Sequence, residues 1–240
     1  MGLSTSISRF ADYLRRNGFR ATIRRIGLAT RRWVFSGRVI LFYCDLSTVS
    51  SQAAELPGSI KVERKRSEAD LKPRDLEKIT SLWNPKLARR NLRERFGLGA
   101  SLWLIKSEDN LAGYGWTLQG HTVEPHFFEL GQQDIHLFDF HVFPQYRGQG
   151  LNPLLVKQIL RNLADGVEGR AFIEAAEWNQ AQLTSLGRTP FHRLGSARKF
   201  TLFRHTMVFW GANEIEGITQ DTSGNLARPV TNQRPSQEKA

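Results

Sequence analysis

The residues Arg147-Gly148-Gln149-Gly150 stand between a segment of strand character ending at Phe143 and a helical pattern whose first turn holds Pro153. Proline is tolerated there because first-turn amides have no intrahelical acceptor. Those free amides, with the positive end of the helix dipole, attract a phosphate or pyrophosphate. Glycine removes the Cβ that would hold the backbone away from such an anion, and Arg147 can add charge-assisted hydrogen bonds to its oxygens. An ordinary basic loop between a strand and a helix is the alternative, and the loop alone leaves both open. Metal chemistry has less support. Cys44 is the single cysteine, and His136 and His141, an odd number of positions apart, are expected on opposite faces of one strand. No metal is therefore expected, and no P-loop, dinucleotide fingerprint or Ser-His-Asp order stands out.

The elements that must position this loop follow from apolar spacing. Val39 to Cys44 reads as a strand, and Ser47 to Gly58 as a linker of small and polar residues. Ile60 and Val62 alternate in a short strand, Ser67 to Trp83 has helical spacing, and Pro85 to Phe96 gives a second, arginine-rich helix. Ser101 to Ser107 and Leu111 to Gln119 form a hairpin about Glu108-Asp109-Asn110. Gly113 and Gly115 in its second strand mark a bulge or a close backbone approach. Ile135 to Phe143 is a strand, and a helix runs from the loop to about Ala164. Ala171 to Glu177 is the next strand, Gln180 to Leu186 a short helix, and Phe191 to about Phe209 one or two more strands. Trp103, Trp116 and Phe138 read as core rather than as a base-stacking platform. The order predicts an α+β, or mixed α/β, fold with a right-handed strand-helix-strand unit at its centre.

The loop resembles the signature R/Q-x-x-G-x-G/A of the GNAT superfamily of acyl-CoA-dependent N-acyltransferases. Two registers fit: Gln145-x-x-Gly148-x-Gly150, and Arg147-x-x-Gly150-x-Asn152, which departs from the pattern at Asn152. We prefer the second, because the hydrophobic pair Leu154-Leu155 then follows where the family has one. "FHVFPQYRG" is similar to the family's V-x-P-x-x-R-G strand, and "EWNQAQLTSLGRTPFHRLG" to its asparagine block, with Asn179 as the asparagine, Pro190-Phe191 at the Gly-Phe position and Gly195 as the closing glycine. The resemblance covers about residues 59 to 210. It implies a GNAT-like fold, a central, mostly antiparallel sheet splayed at a V between two parallel strands and flanked by helices.

The resemblance further implies acetyl-CoA, or another acyl-CoA, lying in that V. Backbone groups of Phe140, His141 and Val142 would pair with the pantetheine arm, amides of Gly148, Gln149, Gly150, Leu151 and Asn152 with Arg147 would hold the pyrophosphate, and Asn179 would bond the arm from the other side. Acyl transfer to an amine needs a base for the ammonium, a donor for the tetrahedral oxyanion and relief for the departing thiolate. The resemblance assigns the oxyanion to the Val142 amide and the base to His136, a residue type suited to taking a proton near neutral pH; Asp139 and Glu129 are weaker candidates. A buried structural His136 is the alternative. The family's usual tyrosine acid falls on Leu186, so Ser185, Tyr146 or Tyr114 would have to substitute, or the fold binds acyl-CoA without catalysis.

At 240 residues and 40% hydrophobic, the chain can bury one good core. A net charge of +11 and a pI near 10.3 point to an anionic partner. The charge is concentrated at the start, where residues 1 to 38 hold nine arginines against the one acid Asp12. There Ile7, Phe10 and Leu14, then Phe19, Ile23 and Ile26, recur at helical spacing, with Asn17-Gly18 as the break. Such a basic helical extension docks on its own domain, on an anionic membrane surface or on nucleic acid. The expected domains are an extension and linker over 1–58, the GNAT-like domain over 59–211 and a disordered tail over 212–240. The expected partners are a small-molecule or peptide amine acceptor and a homodimer mate, with an anionic membrane surface or nucleic acid for residues 1–38, and the expected location is cytoplasmic, peripheral at the inner membrane surface where the extension binds lipid.

Overall fold

Strand β3 (Ser101–Ser107) and strand β4 (Asn110–Gln119) run through the centre of the molecule with side chains buried on both faces. Their turn places Glu108 and Asp109 at φ 50° and 63°, the left-handed pair that a two-residue hairpin demands. The computed structural model describes residues 37–50, 56–82, 84–123, 126–164, 169–202 and 205–211. The expected helices of residues 1–36 and the tail from 212 lie outside the described residues.

The remaining strands are β1 (Val39–Asp45), β2 (Ile60–Lys65), β5 (Ile135–Val142), β6 (Arg170–Ala176), β7 (His192–Leu202) and β8 (His205–Trp210). Together they make one eight-stranded sheet ordered β2-β3-β4-β5-β6-β1-β7-β8, in which β5 and β6 form the parallel pair and every other neighbour is antiparallel. The α+β layout with a mostly antiparallel sheet is as the sequence implies. Strand β1, which the sequence division assigns to the extension, sits inside this sheet between β6 and β7 and pairs with both.

Helix α1 (Pro73–Thr80) and helix α2 (Pro85–Gly97) cover one face, where Ile79 and Leu92 meet Leu104, Tyr114 and Trp116. Helix α3 (Leu151–Ala164) covers the other with Leu155, Val156, Ile159 and Leu160, all fully buried in an i, i+1, i+4, i+5 pattern that makes one stripe. Each such side chain contributes about 1.5–3 kcal/mol by leaving water. Helix α4 (Gln180–Leu186) closes the same side.

The helix expected over Ser67 to Trp83 is shorter than its apolar spacing suggests. A 3-10 turn over Glu68–Asp70 closes on itself through the reciprocal Ser67 and Asp70 capping bonds. Pro73 then holds Lys72 extended, so α1 can begin only at the proline. The helix is tied to the sheet by an ion pair in the core: Lys106 Nζ, 1% exposed, lies 2.8 Å from Asp75 and 3.2 Å from Glu63. Burial works against the Lys106 charge, but the two carboxylates outweigh it and raise its pKa.

Candidate functional site

Parallel pairing of β5 with β6 lasts for three residue pairs, Ile135 with Ala171, His136 with Phe172 and Leu137 with Ile173. The closed end is pinned by Asp134, whose Oδ1 accepts from the Arg170 amide at 3.1 Å and whose Oδ2 accepts from the Gly131 amide at 2.9 Å. Beyond Leu137 and Ile173 the strands separate, leaving the inner edges of Phe138–Val142 and Glu174–Ala176 without strand partners in each other.

A bulge in β5 accompanies the separation. Trp116 pairs with Phe138 and Tyr114 with His141, so Gly115 alone opposes Asp139 and Phe140. Asp139 takes φ 51° there. Glycine at 115 is required by close approach: a Cβ would lie 2.4 Å from the Phe140 ring. The bulge also overturns the expectation that His136 and His141 face opposite ways. One extra residue inverts the alternation, so His136 stacks on Phe138 and His141 stacks on Tyr114 along the same face of the sheet.

Alternation of the backbone also orients Val142. The Phe143 amide donates to Ala112 O of β4, so the neighbouring Val142 amide points away from β4 toward the separation, and Val142 O accepts from Arg147 Nε at 3.1 Å. Past it, Pro144–Tyr146 makes one 3-10 turn, and the exposed Gly148 and Gly150 follow at φ 80° and 73°. These left-handed angles turn the chain into α3, whose first-turn amides open onto the loop. No atom lies within 4 Å of where a Cβ would stand at either glycine. Arg147 is exposed beside them, folded back on the end of β5.

The other residues taken from the sequence fall as follows. Asn152, the departure from the family pattern, donates from Nδ2 to Ser185 Oγ at 2.8 Å and fastens α3 to α4. Asn179 caps α4, accepting from the Gln182 amide and donating to Gln182 Oε1. Leu186 is fully buried in the α3-side core. Tyr114 is buried against His141 and Phe143, and Tyr146 lies under Lys78, whose Nζ is 5.4 Å from its ring centre. Glu129 is exposed on the segment before β5. Asp139 pairs with Arg95, which also lies over the Trp116 and Phe138 rings. The pair borders an open pocket of about 220 Å³ walled by Ile79, Leu87, Leu92 and Tyr114, between α1, α2 and the bulge.

Glu174, which sequence reasoning missed, is the partner of His136: its Oε2 lies 2.8 Å from His136 Nε2 across the mouth of the separation. Burial pushes the Glu174 carboxyl up, but the His136 contact prevails and its pKa is lowered. The sheet register carries the signal, since Glu174 is two residues beyond Phe172, the partner of His136, and so on the same face. His126 stands beside them, its ring centre 4.8 Å from that of His136. Burial, ahead of nearby charges, lowers its pKa from 6.5 to about 4, so its imidazole is neutral.

A β-bulge and a parted parallel pair, ending in a glycine loop at a helix start, define an acyltransferase-type scaffold. The model of the acetyltransferase (GNAT) family matches residues 69–188, half of the chain, and the chain belongs to that family. No curated protein matches the sequence. Among solved structures, a tandem GNAT protein from the clavulanic acid biosynthesis pathway is similar at 14% identity and TM-score 0.47, covering 77% of this chain and 57% of its own. A GNAT acetyltransferase from Colwellia psychrerythraea is similar at 11% identity and TM-score 0.46, with coverages of 65% and 53%. The GCN5-related N-acetyltransferase from Kribbella flavida has 14% identity, TM-score 0.41 and coverages of 74% and 71%. The chain thus spans little more than half the length of the first two.

Proposed function

We propose that the protein transfers an acyl group, acetyl first among them, from acyl-CoA to a primary amine. The observation that carries this reading is the release of β5 from β6 after Leu137 and Ile173, directly ahead of the glycine turn into α3. The thioester arm fits the gap as an added strand along Phe140–Val142, and the α3 amides with Arg147 receive its pyrophosphate. Asn179 retains one Nδ2 hydrogen for the arm.

In the reaction the amine nitrogen attacks the thioester carbon, forming the C–N bond and moving an electron pair onto the carbonyl oxygen. The Val142 amide faces that oxygen and stabilises its charge. His136, held by Glu174, accepts the proton lost by the amine. The C–S bond then breaks and the thiolate leaves; with Leu186 at the family's acid position, the proton reaches sulfur from His136 or from water. The pocket at Arg95 and Asp139, on the same face as His136, admits the acceptor, a small molecule or a peptide terminus. The arginines of residues 1–38 would hold the protein near an anionic membrane or nucleic acid.

Leu186 favours a second reading, an acyl-CoA-binding fold that does not turn over. Thiol release from acetyl-CoA across an amine panel separates the two. The first reading expects release with at least one amine, strongly reduced in His136→Ala; acetyl-CoA binding with no release from any amine would establish the second.

A further inference from the structure

We propose that His126, His136 and Glu174 form a binding site for one transition-metal dication, of which zinc is the natural occupant. Three separate segments supply the donors: the segment before β5, β5 itself and β6. One nitrogen from each ring and one Glu174 oxygen lie within 4.8 Å of one another. Among the described residues this is the one such group of histidine, cysteine and carboxylate side chains.

The donors are also incompletely used. His126 Nε2 is buried and has no hydrogen-bond partner, whereas buried polar atoms are ordinarily bonded. A neutral imidazole keeps the lone pair that a metal requires. Two imidazoles with one carboxylate suit zinc, cobalt or nickel, and three protein ligands leave a fourth position for water. Zinc bonds of about 2.0–2.2 Å in tetrahedral geometry put ligand atoms about 3.3 Å apart. His136 Nε2 and Glu174 Oε2, at 2.8 Å, need to open slightly, while the His126 ring, within 4.8 Å of the others, must close by up to about 1.5 Å. Phe127 and Phe128 pack edge-on against the His126 ring and Phe138 stacks on His136, giving the rings an apolar surround. Lys199, whose charge reaches both His126 and Glu174, opposes the cation and moderates its affinity.

A metal here takes the lone pair that His136 would offer to a proton. Inhibition of acyl transfer by zinc therefore rests on the function proposed above, whereas zinc binding does not. The test uses the full chain stripped with a chelator and titrated by calorimetry with Zn²⁺, and by visible absorption with Co²⁺. The expected result is one equivalent bound with the intense d–d bands of a tetrahedral site. Binding should weaken at least tenfold in His126→Phe, which keeps an aromatic ring in place, and in Glu174→Gln, but not in the control His192→Ala. Circular dichroism confirms that each variant is folded. Absence of a stoichiometric site, or binding undiminished in His126→Phe and Glu174→Gln, overturns the proposal. Bound zinc without effect on acyl transfer would leave the site standing and remove His136 as the base.

Discussion

Gly115→Ala puts the bulge under direct strain. A Cβ at residue 115 would lie 2.4, 2.6 and 2.7 Å from three carbons of the Phe140 ring. Ordinary contact begins at 3.4 Å, so the ring must retreat by about 1 Å. It cannot do so freely, because Phe140 packs against the core on the α3 side. Overpacking of this kind costs about 1–3 kcal/mol. For a folded unit of this size each kcal/mol lowers Tm by about 2–4 °C, so a fall of about 2–12 °C is expected in thermal denaturation followed by circular dichroism. Phe140 also edges the gap between β5 and β6, so acetyl-CoA affinity should fall as well. Gly58→Ala is the control, since no atom lies within 4 Å of its Cβ position. If Gly115→Ala matches this control in both Tm and acetyl-CoA affinity, the reasoning that glycine there shapes the bulge is refuted.

Lys106→Met strands the Asp75 carboxylate, 4% exposed, without its cation and should cost about 3–5 kcal/mol. Adding Asp75→Leu should recover more than half of that in urea denaturation, and a double variant no better than the single one would show that the ion pair is not what sets the loss. Acid stability should depend on His141, whose pKa is lowered by burial and then by Arg147. Its folded pKa lies below the unfolded value, so the unfolded chain binds more protons between the two; stability is full above about 6.5 and declines as pH falls below it. His141→Phe should remove part of the decline below about pH 6.5, and an unchanged pH profile of Tm would contradict this.

The hairpin, the α3 loop and the strand-helix-strand centre were legible because local signals specify them: a left-handed turn at Glu108-Asp109, glycines at 148 and 150, and an unbroken apolar stripe from Leu151 to Leu163. The place of β1 was not. Its residues Val39 to Cys44 declare a strand, but nothing local says that it enters between β6 and β7, since strand partners are chosen by distant contacts. The shared facing of His136 and His141 escaped for a related reason, because simple alternation holds only in a regular strand and the bulge at Asp139 breaks it. Glu174 was invisible as the partner of His136 until the β5–β6 register was known. Asn152 read as a departure from a pattern, and the structure gives it a job of its own on Ser185. His126 lies in a segment with no periodicity to place it.

The central claim is that the parted strands and the glycine loop bind acyl-CoA, and calorimetric titration of the full chain with acetyl-CoA tests it most directly. The account predicts one molecule bound per chain, abolished in Gly150→Trp, where an indole would occupy the now empty approach to the α3 amides, and weakened in Arg147→Ala. No binding at millimolar acetyl-CoA, or binding indifferent to Gly150→Trp, would contradict it.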